Sequence, residues 1–205
     1  MEIELKYRIP TPEVADDIWN DKLFFSYEED GSREELCFMA KYFDTSDCDL
    51  AKHSIAYRVR KEGCRWVAAL KWSGQSDGAL HTREEINVPV QDDRPDPSVF
   101  RESEMGAVLE EIIGDKALIS LLETRFMRRR FRIDTGKGIF ELSIDQGKIV
   151  TPYGDEPISE VEIELFSGES EELECLGRKL CGKYHLEKES RSKYSRGIRI
   201  IKDNR

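Results

Sequence analysis

Charged side chains fall at every second position in five separate segments. Glu2, Glu4, Lys6 and Arg8 form one set, Arg58 and Arg60 a second, and Arg83 and Glu85 a third. Arg128, Arg130 and Arg132 make the fourth, and Glu160, Glu162 and Glu164 the fifth. Arginine and lysine suit phosphate oxygens, and one guanidinium can hold two of them. Carboxylates at alternate positions suit Mg²⁺ or Mn²⁺, which take oxygen ligands and keep several waters. A cation held there can clamp phosphates and activate a water. Both sets in one place read as a site for a metal–triphosphate chelate.

A spacing of two is the strand period, so each set lies on one face of a strand. The opposite faces are apolar: Ile3 and Leu5, Tyr57 and Val59, Ile86 and Val88, then Val161, Ile163 and Leu165. Strands are expected over 2–8, 36–44, 55–61, 65–72, 81–88, 124–134, 138–145 and 158–166, with a short extra one at 148–151. Glu62-Gly63 and Gly136-Lys137-Gly138 mark hairpins. Helices are expected after Thr11-Pro12, after Ser103, over 115–122 and after Ser170. The loop from Gln91 to Pro97 marks a midpoint, but neither half has enough strands to close its own core. One domain over 1–205 follows. The two halves share the charged alternating strands, a hint of internal duplication.

Two arrangements satisfy this pattern. The charged faces could be the solvated side of an ordinary antiparallel sheet. Alternatively, about eight strands could close into a barrel, with helices on the apolar outside and charges lining the lumen. An empty charged lumen is costly. It makes sense when it holds water, a polyanion and divalent cations.

Composition narrows the field. The 205 residues carry 32 basic and 42 acidic side chains, a net charge of −10. That balance argues against a nucleic-acid partner. No run approaches the ~18 apolar residues of a membrane span. The start, Met1-Glu2-Ile3-Glu4, is no signal peptide. Five cysteines without C-x-x-C spacing read as reduced thiols, so a cytoplasmic protein is expected. His53, His81 and His185 share no ligand spacing. His81 lies on the inward parity of its strand, within reach of a lumen ligand. Trp19, Trp66 and Trp72 fit apolar faces. The sequence is silent on oligomeric state.

The charged strands also carry motifs in a fixed order. Glu2-Ile3-Glu4-Leu5-Lys6 gives E-x-E-x-K, and Tyr42-Phe43-Asp44-Thr45 gives YFDT. IAYRVR over 55–60, Ala69-Leu70-Lys71, HTREE over 81–85 and TRFMR over 124–128 follow. FELSIDQG over 140–147, SEVEIEL over 159–165 and Ser192-Lys193-Tyr194 with Arg196-Gly197 complete the series. Over nearly its whole length the chain thus resembles the CYTH domain, or triphosphate tunnel metalloenzyme, family. It lacks the proline that often follows YFDT in that family, having Ser46-Asp47 instead.

The resemblance implies an α+β fold built on an eight-stranded antiparallel closed β-barrel, a tunnel with a charged lumen and helices packed outside. It implies Glu2, Glu4, Asp145, Glu160 and Glu162 as carboxylates on the metal side, with Glu164 matching the third glutamate. Lys6, Arg58, Arg60, Lys71, Arg128 and Lys193 would grip phosphates. Arg83 and Glu85 complete the lumen, and Arg8 and Arg130 share its parity. Arg125 and Arg129 lie on the other parity, facing out.

The expected activity is metal-dependent hydrolysis of tripolyphosphate with Mg²⁺ or Mn²⁺, assisted by Glu2, Glu4 or Glu162. Positioning and charge stabilisation carry such phosphoryl transfer. The same tunnel also suits a class IV-type adenylyl cyclase acting on ATP, or a thiamine triphosphatase. A polyphosphate-binding module would need the cations but could dispense with the carboxylates.

Overall fold

The computed structural model describes residues 1–204. The chain runs β1 (Glu2–Arg8), α1 (Pro12–Trp19), α2 (Lys22–Phe25), β2 (Glu34–Asp44), α3 (Asp49–Lys52), β3 (Ala56–Glu62), β4 (Arg65–Asp77) and β5 (Leu80–Val90). A 3₁₀ turn (Pro97–Phe100) then leads to α4 (Gly106–Ile113), β6 (Ile119–Asp134), β7 (Gly138–Thr151) and β8 (Gly154–Gly168). The chain continues through α5 (Ser170–Tyr184), β9 (Glu187–Lys188) and α6 (Lys193–Asp203).

The strands hydrogen-bond in the order β5-β4-β3-β2-β6-β7-β8-β1, and β1 pairs back onto β5. That last pairing, with Glu2 opposite Arg83 and Glu4 opposite His81, closes an antiparallel barrel. Strands from both halves of the chain share this one wall. The two-residue β9 adds to the end of β1.

Closure turns the alternation inside out. Leu5, Tyr7, Phe131, Leu142, Ile144, Val161 and Ile163 point outward and are buried under α1 and α5 with Ala15, Ile18, Leu173, Leu176 and Leu180. Tyr57, Val59, Ala68 and Leu70 point outward on the other side, under Phe100, Leu109 and Ile113. Gly177 lets α5 lie close to β1, since a Cβ there would sit 2.4 Å from Leu5 Cδ1 and 2.5 Å from the Tyr7 hydroxyl. The third apolar cluster lies inside one end of the barrel. There α6 packs Ile198 and Ile201 on Leu122, Ile149 and Ile158.

Several elements differ from the sequence reading. Residues 115–122 are not a helix; β6 already starts at Ile119, paired with Asp44 of β2. Leu121 and Leu122 are both buried there, and two adjacent leucines fit either period. Residues 148–151 are no separate strand but the end of the unbroken β7. Ser103 does not cap α4, which starts three residues later; its hydroxyl accepts from the Met105 N–H in the preceding turn. Ser170 is the first residue of α5 rather than its cap. Thr11 does cap α1, accepting from the Val14 N–H. Arg125 and Arg129 face out as expected and pair with Glu123 and Asp16. No described helix is long and apolar enough to cross a membrane.

Candidate active site in the barrel lumen

The barrel encloses a cavity of about 490 Å³. Glu2, Glu4 and Lys6 line it from β1, Arg58, Arg60 and Glu62 from β3, Lys71 from β4, and Arg83, Glu85 and Asn87 from β5. Arg128, Arg130 and Arg132 enter from β6, Glu141 from β7, Glu162, Glu164 and Phe166 from β8, and Lys193 and Tyr194 from the start of α6. One end is filled by α6. The other is bordered by Glu29–Ser32 of the α2–β2 loop and by Phe166.

Thirteen of the sixteen residues singled out in the sequence thus border one cavity. Asp145 and Glu160 lie just behind its wall at the filled end, wholly buried and in contact with Lys193. Arg8 stands outside the cavity and pairs with Glu189. His81, although on the inward parity, is also outside it. Its Nε2 donates to the Glu189 carbonyl at 2.8 Å, and its Nδ1 faces the Ser76 hydroxyl at 3.1 Å.

Register explains the grouping. The ladder places Arg128 opposite Asp145, and Asp145 opposite Glu160. One step along, Ser143, Glu162 and Lys6 are neighbours; the next step brings Glu141, Glu164 and Glu4 side by side. At the inner level opposite charges meet. Arg128 grips Asp145 through two hydrogen bonds of 2.7 Å and reaches Glu162 at 2.6 Å. Lys193 touches Asp145, Glu160 and Glu162 together, and Lys6 lies 3.1 Å from Glu162. Arg196 holds the outer side of Glu160 at 2.8 Å. Burial alone would raise Glu162; Lys193, Lys6 and Arg128 outweigh it and hold its carboxyl well below the usual range.

Toward the open end Glu2 and Glu4 pair with Lys71, Arg83 and Lys6, but the balance is less complete. Glu141, Glu164 and Glu4 form an anionic row, with Glu2 two residues from Glu4. Burial, with Glu2 and Glu4 beside it, pushes Glu164 up to about 8. Across the lumen Arg58, Arg60 and Arg128 are near enough to repel. Burial, with Arg58 beside it, pulls Arg60 down to about 10, although Glu62 pairs with it. The buried Nε of Arg58 makes no hydrogen bond, while the Arg60 Nε lies against the Glu62 carboxylate. A buried donor without a partner costs roughly 1–3 kcal/mol. The crowded guanidiniums of Arg58 and Arg60 can thus take a further anion, and Glu164 a cation.

Four residues were missed by the sequence reading. Glu141 stands in the quoted FELSIDQG stretch, on the same parity as Asp145, and that parity was the available signal. Glu62 continues the Arg58–Arg60 alternation. Tyr42 belongs to YFDT and stacks on Tyr194 at 5.2 Å. Burial would raise its phenol, but Arg58, Lys193 and Lys71 outweigh burial and lower it. Arg196 ties Glu160 and Glu156 to α6.

The donor set tests the metal that the resemblance implies. It contains only carboxylate oxygens, the preference of Mg²⁺ and Mn²⁺. Asp145, Glu160 and Glu162 bring ligand atoms within 4.8 Å of one another, but Lys193, Lys6 and Arg128 already balance them. Glu2 pairs with Lys71 and Arg83, and Glu4 with Lys6 and Arg83, whereas Glu164 beside them makes no ion pair among the described residues. A hard divalent cation fits beside that row of carboxylates.

A closed antiparallel barrel with an acid- and base-lined lumen is the architecture of a tunnel protein. The match to known families is specific: residues 1–198 fit the model of the CYTH domain, and the chain belongs to that family. It is 30% identical over 173 residues to an inorganic triphosphatase of Haemophilus influenzae. That alignment covers 84% of this chain and 47% of the relative, so the chain spans about half the relative's length. Among solved structures it resembles a candidate adenylyl cyclase from Hippeastrum described as having a dominant triphosphatase activity. There the TM-score is 0.68 at 22% identity, covering 95% of this chain and 94% of that one. A protein of Pyrococcus horikoshii aligns over the full length of both chains with a TM-score of 0.59 and 18% identity. At these identities the structures speak to the fold.

Proposed function

We propose that this chain hydrolyses the terminal anhydride of inorganic tripolyphosphate in a metal-dependent reaction inside the barrel. The observation that carries the reading is one cavity lined on one side by the crowded guanidiniums of Arg58 and Arg60 and on another by the carboxylate row of Glu4, Glu141 and Glu164. The first would take an anion, and the second, where Glu164 makes no ion pair among the described residues, a cation. A metal–tripolyphosphate chelate brings both in one particle. The curated relative of the same family, an inorganic triphosphatase, supports this choice of reaction.

In this reading Arg58, Arg60, Arg128 and Arg130, with Lys6, Lys71, Arg83 and Lys193, hold the phosphate chain. Glu85 keeps Lys71 and Arg58 in place through contacts of 3.0 and 3.2 Å. Glu2, Glu4 and Glu164 would hold Mg²⁺ or Mn²⁺, with Asp145, Glu160 and Glu162 as the inner carboxylates. The bound cation supplies charge neutralisation and water activation. A water oxygen attacks the terminal phosphorus, the bridging P–O bond breaks, and orthophosphate and pyrophosphate form. A lumen carboxylate such as Glu2 accepts the proton of the attacking water, while Glu162, held ionised by Lys193, Lys6 and Arg128, keeps those cations in place. The guanidiniums face the oxygens on which charge builds, and that is where catalysis of this kind gains most. The free thiols of Cys37, Cys64, Cys175 and Cys181 fit a reducing, cytoplasmic setting.

The test is phosphate release from tripolyphosphate with Mg²⁺ or Mn²⁺, with and without EDTA, beside cyclic AMP formation from ATP. Metal-dependent orthophosphate release is expected. Cyclic AMP as the main product would overturn the assignment.

A further inference from the structure

Phe166 breaks the rule of the lumen. It follows Glu160, Glu162 and Glu164 on β8 at the bulge where Phe140 pairs with Leu165 and Ile139 with Ser167, and it carries an apolar ring. That ring borders the cavity at its open mouth and is 47% exposed. It joins none of the three apolar clusters. The Arg132 guanidinium lies over it, 5.6 Å from the ring centroid. Arg132 is itself half-exposed, and its nearest carboxylate, Glu29, is 3.9 Å away. An aromatic face beside a guanidinium plate is a surface on which a flat ring stacks. Its position along the tunnel matters as much. Glu162 touches Lys6 and Arg128, and Phe166 is four residues further on the same strand, about 13 Å at ~3.3 Å per residue. That separation leaves room for a phosphate chain and a sugar between the inner cations and the mouth.

Building on the triphosphatase reading, we propose that Phe166 and Arg132 form a stacking subsite for the base of a nucleoside triphosphate. The phosphate chain enters first and lies among Lys6, Arg58, Arg60 and Arg128. Inorganic tripolyphosphate fills only the inner part of the same path. The pair at the mouth thus sets how well a nucleotide competes with the inorganic chain.

The experiment measures kcat/KM for ATP and for tripolyphosphate, with Mg²⁺, in the wild type, Phe166→Leu and Phe166→Trp. The ratio of the ATP value to the tripolyphosphate value should fall about tenfold in Phe166→Leu, within the range known for base–aromatic stacking. The fall should come through KM, and Phe166→Trp, which restores a stacking face, should recover it. If ATP is bound but not turned over, its inhibition constant against tripolyphosphate takes the place of KM. A ratio unchanged within twofold in Phe166→Leu, or a wild type that neither hydrolyses ATP nor is inhibited by it, overturns the subsite. Absence of tripolyphosphate hydrolysis would instead overturn the underlying activity. Calorimetric titration of ATP with Mg²⁺ into wild type and Phe166→Leu would then still read the subsite.

Discussion

Arg60 shows most plainly what the lumen is for. A guanidinium buried beside Arg58, with Glu62 as its one ion-pair partner, is incompletely satisfied by the protein alone. Phosphate oxygens would satisfy it, and two parallel hydrogen bonds are open to arginine but not to lysine. Arg60→Ala is therefore expected to lower kcat/KM for tripolyphosphate about a hundredfold, roughly 2.7 kcal/mol of lost transition-state stabilisation. Arg60→Lys should recover only part of it, as steady-state rates would show. The carboxylates distinguish an enzyme from a mere binder. The double variant Glu160→Ala with Glu162→Ala is expected to lose turnover while keeping or gaining metal-free affinity for tripolyphosphate. Turnover retained in that variant would leave these two residues without a part in the chemistry. Residue types and parity made most of this wall legible in the sequence. Arg8 and His81 mislead for one reason: parity gives the face of a strand but not how far along the tunnel a residue sits.

At the scale of elements, α6 and the strap before it complete the site. Ser192 caps α6 by accepting from the Ser195 N–H at 3.1 Å, and this aims Lys193 into the lumen. The strap is fastened by Glu189. Its N–H donates to the Lys6 carbonyl, its carbonyl accepts from His81, and its carboxylate holds Arg8, Arg191 and the Arg191 N–H. Burial would raise this carboxyl, but Arg8 and Arg191 outweigh it and bring it from 4.5 to about 2. A carboxyl depressed on folding stabilises fully above its unfolded value and loses that contribution as pH falls through the folded one. Glu189→Gln should therefore lower thermal stability at pH 7 and flatten its dependence between about pH 4.5 and 2. A variant whose melting curve tracks the wild type across that window would show the strap to be idle. Close packing gives a second expectation. Gly177→Ala forces a methyl onto Leu5 and the Tyr7 hydroxyl and should cost about 1–3 kcal/mol in denaturant unfolding. The strands were legible because a period of two with one apolar face is unambiguous. Helix α6 was not recognised, since Lys193, Tyr194, Arg196 and Gly197 drew the eye as a motif. The spacing of Ile198 and Ile201 was the available sign. Residues 115–122 misled in the opposite sense, with adjacent leucines that fit either period.

For the whole molecule, closure is the decisive step. The sequence allowed a flat sheet with a solvated polar face as well as a tunnel, and the local pattern is the same in both. Only the pairing of β1 with β5 separates them, and a ladder between distant segments leaves no local mark. Once closed, the barrel gathers charges of both signs around one cavity. A ligand that pairs with them binds the folded state alone and stabilises it. Tripolyphosphate with Mg²⁺ at about a hundred times its dissociation constant should raise the melting temperature by roughly 5–10 °C. EDTA should remove most of that rise.

The most direct measurement is a crystal structure of the chain with tripolyphosphate and Mn²⁺, the metal located by its anomalous signal. The phosphates are expected inside the barrel, against Arg58, Arg60 and Arg128, with Mn²⁺ beside Glu2 and Glu4. Tripolyphosphate seated on the outer wall, with the lumen holding neither phosphate nor metal, would contradict the account.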